Sequence, residues 1–336
     1  MRIRPALSLA IAGLALLAIA TWIIVTQPIL KQTPALVEAV VDPKLLRAHV
    51  EMLSETFVPR DWRHVENLNR AAVYISQQLA DAGAKVTEQP YRMRSSNENQ
   101  GKTYRNVVAR LGPDTRERVV VGAHYDAYAE YPAADDNASG VAALIEVTRL
   151  LAREPLPLGV DLVAYSLEEP FAEGAKGNFR TPDGGSAVHA TSLKTNGKQV
   201  RLMFSLETMG FFSDQENSQD VPVLLLQPFF PTQGNYIMVV SNVDNALMAR
   251  RVKSAMRAAS PLPVYSISAP SFLEGIDYSD HFNYWTNGYP AVMITDTAFN
   301  RNKNYHRPGD TADRLDYQRM AMVVQAVYRA VLVVAR

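Results

Sequence analysis

The sequence contains no cysteine among its 336 residues. This absence excludes disulfide bonds, thiol nucleophiles and metal sites built on thiolates. Only six histidines are present. A metal bound by this chain must therefore be held by histidine, aspartate and glutamate side chains.

The chain also has no net charge, because its 34 lysines and arginines balance its 34 aspartates and glutamates. A neutral chain without a run of five or six basic residues gives no electrostatic signal for nucleic acid, so we expect no nucleic-acid partner. The length allows two domains or one large α/β domain. The sequence leaves the oligomeric state open.

A long apolar run stands at the start of the chain. Behind Arg2 and Arg4, residues 6–25 are mostly apolar and long enough to span a bilayer as a helix. We expect residues 1–30 to be an uncleaved membrane anchor, with the rest of the chain on the extracytoplasmic (periplasmic) side. The alternatives are a signal peptide cleaved near the Ala-x-Ala triplet at 18–20, which would give a secreted protein, and a buried helix.

The composition changes sharply after residue 30. We interpret residues 31–42 as a linker and residues 43–336 as the catalytic domain, and we expect this domain to fold without the first 30 residues. Within it, short apolar strands alternate with helical patterns. The predicted strands are 85–92, 104–111, 119–124, 159–167, 199–206, 236–240 and 291–295. The predicted helices are 43–53, 64–82, 139–151, 242–259 and 317–335.

This alternation predicts an α/β fold with a single mixed, largely parallel sheet flanked by helices on both faces. The strands 85–92 and 104–111, joined by a polar loop, are expected to form an edge hairpin. The N-terminal transmembrane helix would precede this domain.

Polar side chains follow the predicted strands where ligands of α/β proteins usually bind. One strand ends in His124-Tyr-Asp126, and a polar loop with Asp135 and Asp136 leads from it into a helix. The next strand ends in the pair Glu168-Glu169.

A third strand ends at Glu207, and the loop after the last strand presents Tyr305 and His306. Taken alone, each of these later residues would more often be part of an ordinary exposed loop. Their recurrence after successive strands predicts one shared site.

Two imidazoles with several carboxylates suit zinc, and less selectively manganese or cobalt. The set is large enough for two metals that share one bridging carboxylate, with another carboxylate left free as a general base. The adjacent glutamates Glu168 and Glu169 offer one residue for each task, because successive side chains leaving a strand point in different directions.

The motifs HYD, ADDNASG, LEE, SLE, SDH and YH occur in this order, and Asp310 lies four residues beyond the histidine. This pattern resembles the di-zinc exopeptidase family of bacterial secreted aminopeptidases, whose more distant members include glutamate carboxypeptidase and animal glutaminyl cyclase. The resemblance covers roughly residue 67 to the C-terminus. It implies two zinc ions per chain, held by five ligands: His124, Asp136, Glu169, Glu207 and His306.

The resemblance also implies a role for each position. Asp136 would bridge the metals, His124 and Glu207 would complete one zinc site, and Glu169 and His306 the other. The same comparison makes Glu168 the general base, Asp126 the carboxylate that orients His124, and Asp280 an outer residue of the site. Tyr305 is our own additional candidate, as a hydrogen-bond donor to the reaction's oxyanion.

We therefore expect a zinc-dependent aminopeptidase that hydrolyses N-terminal residues from peptides, with a water activated by the metals and by a glutamate base. The alternatives are a glutaminyl cyclase-like aminoacyltransferase with a single zinc and an inactive, membrane-anchored binding module. Two segments depart from the family pattern, an insertion at 170–184 and a long excursion at 210–235. The preferred N-terminal residue therefore does not carry over from the family.

Overall fold

The structure is a computed structural model that describes residues 5–29, 41–95, 98–221 and 224–336. Most of the predicted linker lies outside the described residues. An eight-stranded sheet in the order β1-β2-β4-β3-β5-β8-β6-β7 forms the centre of the protein. Its strands are β1 (Lys85–Arg92), β2 (Thr103–Leu111), β3 (Glu117–His124), β4 (Gly159–Tyr165), β5 (Gln199–Glu207), β6 (Ile237–Ser241), β7 (Val264–Ser268) and β8 (Ala291–Thr295).

The sheet is mixed, as predicted, and its centre is parallel. Strands β4, β3, β5 and β8 are consecutive parallel neighbours, and β6 pairs parallel with β7. Antiparallel pairing occurs at β1–β2, at β2–β4 and between β6 and β8. The predicted edge hairpin is therefore confirmed as β1 and β2. The four central strands are buried over nearly their whole length, which explains their almost continuous apolar sequences.

Helices cover both faces of the sheet. They are α1 (Pro5–Thr26), α2 (Pro43–Glu51), α3 (Val65–Asp81), α4 (Gly140–Leu151), α5 (Gly185–Thr195), α6 (Ala246–Arg257), α7 (His281–Thr286) and α8 (Tyr317–Ala335). The larger core lies under α2, α3, α4, α6 and α8, whereas α5 and α7 pack on the opposite face. At the start of α2, the Asp42 carboxylate accepts a hydrogen bond from the backbone of Lys44, as expected for an N-cap before a proline at the first helical position.

Parallel register brings the ends of the central strands to one edge. His124 at the end of β3 is aligned with Tyr165 of β4, and Glu207 at the end of β5 is aligned with Thr295 of β8. The loops after these strands therefore meet above the same part of the sheet.

The N-terminal transmembrane helix is not confirmed by the structure. Among the described residues, the helix long and apolar enough to cross a membrane is α8, and most of its side chains are buried in the core. Residues 11–26 form a shorter apolar helix within α1, with large exposed side chains such as Leu14 and Leu17.

The C-terminal end of α1 contacts the edge of the sheet. Lys253 on α6 is buried and donates to the backbone carbonyls of Thr26 and Gln27, at 2.8 and 3.2 Å. Ser266 on β7 also donates to the Thr26 carbonyl, and the Gln27 amide donates to Ser268. Burial lowers the pKa of Lys253 to about 8. A chain shortened by 30 residues would lose every one of these contacts.

We expect a chain without residues 1–30 to be less stable than one without residues 1–21, by roughly 1–3 kcal/mol, because its buried Lys253 ammonium would have no acceptor. Urea unfolding of the two shortened chains measures the difference. Lys253→Met should restore stability to the shorter chain, and Lys194→Met on an exposed face should not. Equal stability of the two chains would contradict this account.

Candidate metal centre

The five predicted ligands come together above the central strands in two groups. Nε2 of His124 lies 3.3 Å from Oδ1 of Asp136 and 3.5 Å from Oε2 of Glu207. Nε2 of His306 lies 3.0 Å from Oδ2 of Asp136 and 3.1 Å from Oε2 of Glu169. The two oxygens of Asp136 thus face different histidines.

These distances are compatible with atoms that share a metal ion, and the two at His306 also lie within hydrogen-bond range. Two ligand atoms about 2.1 Å from one tetrahedral zinc ion are roughly 3.4 Å apart, which is close to the four separations above. Oδ2 of Asp136, Oε1 of Glu169 and Nε2 of His306 are buried and have no hydrogen-bond partner in the described part of the chain. Ligand atoms of His124, Asp136 and Glu169 also lie within 4.8 Å of one another. The residues present therefore fit zinc.

The charge of the group also favours a bound cation. Burial favours the neutral ring of His124, yet the carboxylates of Glu207 and Glu168 hold its pKa well above the ordinary value. In the same way Glu169 and Asp136 outweigh burial and raise the pKa of His306 to about 10. Both histidines are thus driven to carry positive charge, which a divalent cation supplies when it replaces their protons.

Asp126 supports the site from behind β3. Its carboxylate accepts the backbone N–H groups of Glu168 and Glu169, both at 3.1 Å. Its Oδ1 lies 3.4 Å from Nδ1 of His124, on the far side of the ring from the ligand atom. Asp126 therefore faces both His124 and the glutamate pair.

Asp310 supports the opposite side of the site. Its carboxylate accepts the backbone N–H groups of Asp135 and Asp136 at 3.1–3.2 Å. The peptide bond between Asp136 and Asn137 is cis. The Asn137 side chain bonds the backbone of Leu206, one residue before Glu207.

Arg60 is a supporting residue that the sequence did not reveal. It is fully buried and donates to the backbone carbonyls of Leu53, Tyr125, Pro132 and Ala133. Burial lowers its pKa to about 10, while Asp310 and Asp126 act in the opposite direction. Arg60 lies in a loop upstream of every motif, and no local pattern marks it.

Ser279 is a second residue that sequence reasoning missed. Its hydroxyl donates to Oε2 of Glu207 at 2.6 Å and lies 3.1 Å from the hydroxyl of Ser205. The predicted outer residue, Asp280, is adjacent and buried, and burial raises its pKa to about 7. The Ser-Asp-His motif contained the signal for both residues.

Two aromatic rings cover the faces of the His306 imidazole. Tyr305 stacks on one face with ring centroids 4.0 Å apart, and Tyr128 stacks on the other at 4.3 Å. Burial and the surrounding carboxylates hold the pKa of Tyr305 well above its ordinary value, so its hydroxyl stays protonated. Tyr128 lies in the loop after β3 and was not predicted to belong to the site.

The insertion at 170–184 forms one wall of the open cleft above the site. Trp62 donates to the backbone of Phe171 and packs against its ring. Arg180 forms an ion pair with Asp277 at 2.8 Å, and Asp183 accepts backbone N–H groups from residues 94 and 95. The insertion is thus attached at three points, and residues 172–176 between them are exposed.

A second, apolar pocket opens beside Glu207 and Tyr305. The excursion at 210–235 contributes part of its wall. Six of the apolar side chains that line it are Leu226, Phe230, Met238, Ile267, Ile276 and Met293. The cleft and the pocket share Glu274, Tyr278, Phe299 and Tyr305, so the two spaces adjoin beside the candidate ligands Glu207 and His306.

The fold and the histidine–carboxylate site together fit a metal-dependent hydrolase whose ligand set suits zinc. The family model described as Peptidase family M28 matches residues 106–331, and the chain belongs to this family. It is therefore a metallo-aminopeptidase-type hydrolase, which confirms the resemblance found in the sequence.

The comparisons with individual proteins agree. The chain is 44% identical over 293 residues to the uncharacterised protein YfbL of Escherichia coli K12, covering 85% of this chain and 86% of that protein. It is 23% identical over 320 residues to a probable leucine aminopeptidase of Arthroderma benhamiae, covering 90% and 78%.

Among solved structures, a leucine aminopeptidase precursor of Bacteroides thetaiotaomicron superimposes with a TM-score of 0.65 at 18% identity, covering 87% of this chain and 97% of that one. A glutaminyl cyclase of Porphyromonas gingivalis gives 0.66 at 18% identity, covering 86% and 97%. These likenesses show the fold, and they do not separate peptide hydrolysis from cyclisation.

We expect Ser279→Ala to weaken binding of one metal by roughly 10- to 100-fold, because outer partners of metal ligands have effects of this size. Zinc affinity measured by competition with a chelator tests this, with Ser192→Ala on α5 as the control. Unchanged affinity for every bound metal would show that the hydroxyl does not support Glu207.

Proposed function

We propose that the chain is a zinc-dependent aminopeptidase that removes N-terminal residues from peptides and uses two zinc ions. One observation carries the two-metal part of the proposal: the two carboxylate oxygens of Asp136 face different histidines, and each histidine has one further carboxylate beside it. His124 and Glu207 would hold one ion, and Glu169 and His306 the other.

When bound, a pair of zinc ions lowers the pKa of a water and neutralises negative charge on the substrate carbonyl. The other steps belong to the protein. Glu168 accepts the proton of the attacking water and passes it to the leaving amine. Burial and the neighbouring glutamates raise its pKa well above the ordinary value, while His124 acts in the opposite direction. Asp126 fixes the backbone of Glu168 and lies 3.4 Å from Nδ1 of His124, where its carboxylate would orient the ring.

Tyr305 is proposed as a donor to the oxyanion that develops on the scissile carbonyl. Its side chain lines both the cleft and the apolar pocket, between the two places where a substrate would lie. Its hydroxyl remains protonated, as such a donor requires.

The apolar pocket favours peptide hydrolysis over glutaminyl cyclisation. The pocket wall is mostly apolar, and two of its polar side chains are already hydrogen-bonded within the protein: Gln219 to Thr297 and Arg301, and Thr295 to Thr208. Against this mostly apolar wall a substrate glutamine amide would regain few of its hydrogen bonds to water, whereas a large apolar side chain would gain by burial. We infer that the preferred N-terminal residue is large and apolar.

An inactive binding module is the third reading. A binding module would have no chemical use for a buried, unligated carboxylate beside the ligands, and Glu168 occupies that position. The arrangement supports an enzyme.

We also propose that α1 anchors the protein in a membrane, with the catalytic domain on the extracytoplasmic (periplasmic) side. The support is the apolar run from residue 6 to residue 25 behind two arginines and the exposure of the apolar side chains over 11–24. Fractionation of cells with an antibody to the domain tests this: recovery in the soluble cytoplasmic fraction would contradict it.

Replacing Glu168 by glutamine should lower kcat by at least about 10²-fold, because the substitution removes the proton acceptor and preserves the shape. Zinc content should remain that of the wild-type protein. Glu66→Gln, an exposed change on α3, is the matched control. Near wild-type turnover with full zinc occupancy would remove Glu168 from the mechanism.

The pocket predicts a substrate order. We expect kcat/KM for leucyl or phenylalanyl p-nitroanilide to exceed that for the alanyl compound roughly 10-fold or more. Met238→Trp, which fills the pocket, should reduce this ratio, and Leu247→Trp on the exposed surface should not. With glutaminyl peptides, release of free glutamine is expected, and formation of a pyroglutamyl product instead would favour the cyclase reading.

A further inference from the structure

The two histidines of the site have different surroundings. His124 is buried, and Asp126 lies behind its Nδ1. His306 lies in a loop with a φ of 55°, and its side chain is 25% exposed. No residue in the described part of the chain hydrogen-bonds Nδ1 of His306. A ligand histidine is normally fixed by such a partner, so another interaction must orient this ring.

That interaction is stacking on both faces of the imidazole. The plane of Tyr128 is 6° from that of His306, and the plane of Tyr305 is 14° from it. Two parallel rings leave the imidazole free to rotate only within its own plane, and Nε2 then points toward Asp136 and Glu169. The two stacked rings therefore fix the plane in which the ligand atom lies.

The stacking also gains from metal binding itself. An imidazole bound to a divalent cation is electron-poor, and the faces of phenol rings attract positive charge. The hydroxyl of Tyr128 makes no hydrogen bond to any described residue, so the effect of Tyr128 on His306 comes from its ring. Tyr128 follows Asp126 by two residues, and the same loop thus supports both histidines.

We propose that Tyr128 is a positioning residue that, together with Tyr305, holds His306 for the second metal. The inference rests on the proposed two-metal site. It predicts that the ring of Tyr128 determines the affinity for the metal held by Glu169 and His306, and that the metal held by His124 and Glu207 is unaffected.

The test compares three variants of the whole chain. Tyr128→Phe keeps the ring, and Tyr128→Leu keeps an apolar side chain but removes the ring. Tyr131→Leu is the control, because Tyr131 packs near Tyr128, with ring centroids 6.1 Å apart, and has no ring contact with His306. Zinc stoichiometry after dialysis and the two dissociation constants by chelator competition are the readouts. Circular dichroism monitors folding.

We expect Tyr128→Leu to weaken one of the two metals by roughly 10- to 100-fold, and Tyr128→Phe and Tyr131→Leu to stay within about threefold of the wild-type protein. Wild-type affinity for both metals in Tyr128→Leu would overturn the inference. An equal loss in Tyr128→Phe would assign the effect to the hydroxyl and would also overturn it. The zinc stoichiometry of the wild-type protein is measured before that of any variant. If the wild-type protein binds only one zinc, the proposed two-metal function fails, and this outcome differs from a failure of the inference about Tyr128.

Discussion

Negative charge buried at the end of a parallel sheet is the constraint that the surrounding structure satisfies. Asp136, Glu169 and Glu207 are each less than a tenth exposed. Moving an ionised group out of water costs roughly several kcal/mol unless hydrogen bonds or opposite charges compensate this cost. Two histidines and the buried Arg60 compensate only part of this charge. The remaining demand for positive charge is what suits the group to a bound metal ion.

The two outer aspartates act on the backbone of the ligand residues. Asp126 accepts the N–H groups of Glu168 and Glu169, and Asp310 accepts those of Asp135 and Asp136. Each aspartate therefore fixes the peptide units from which two acidic side chains emerge. The loops after β3 and β4 are held in this way although neither has regular secondary structure over most of its length.

Much of this arrangement could be read from the sequence because the ligands directly follow strongly apolar strands. His124 and Glu207 are the last residues of β3 and β5, and parallel pairing brings strand ends together without further information. The elements that were missed, β7, α5 and α7, are short or have weak apolar periodicity. Strand β7 has the sequence Val-Tyr-Ser-Ile-Ser, and its two serine side chains form hydrogen bonds with the end of α1 instead of packing in the core.

The supporting residues were harder to predict for a different reason. The contacts of Arg60 are to backbone carbonyls, which every residue carries, so no partner type reveals them. The stacking of Tyr128 on His306 joins positions 178 residues apart (306 − 128) and requires the fold to be known. Motif reasoning finds the residues that perform chemistry, whereas the residues that hold them are identified by tertiary contacts.

The end of α1 has a consequence for how the chain matures. Thr26 and Gln27 bond two serine side chains of the outermost strand of the sheet, and unpaired backbone groups of an edge strand can pair with other chains. The Ala-x-Ala triplet at 18–20 precedes both residues. Cleavage there would release most of the apolar helix and leave both residues attached, so their contacts with the edge strand would be kept whether the protein remained on a membrane or was set free.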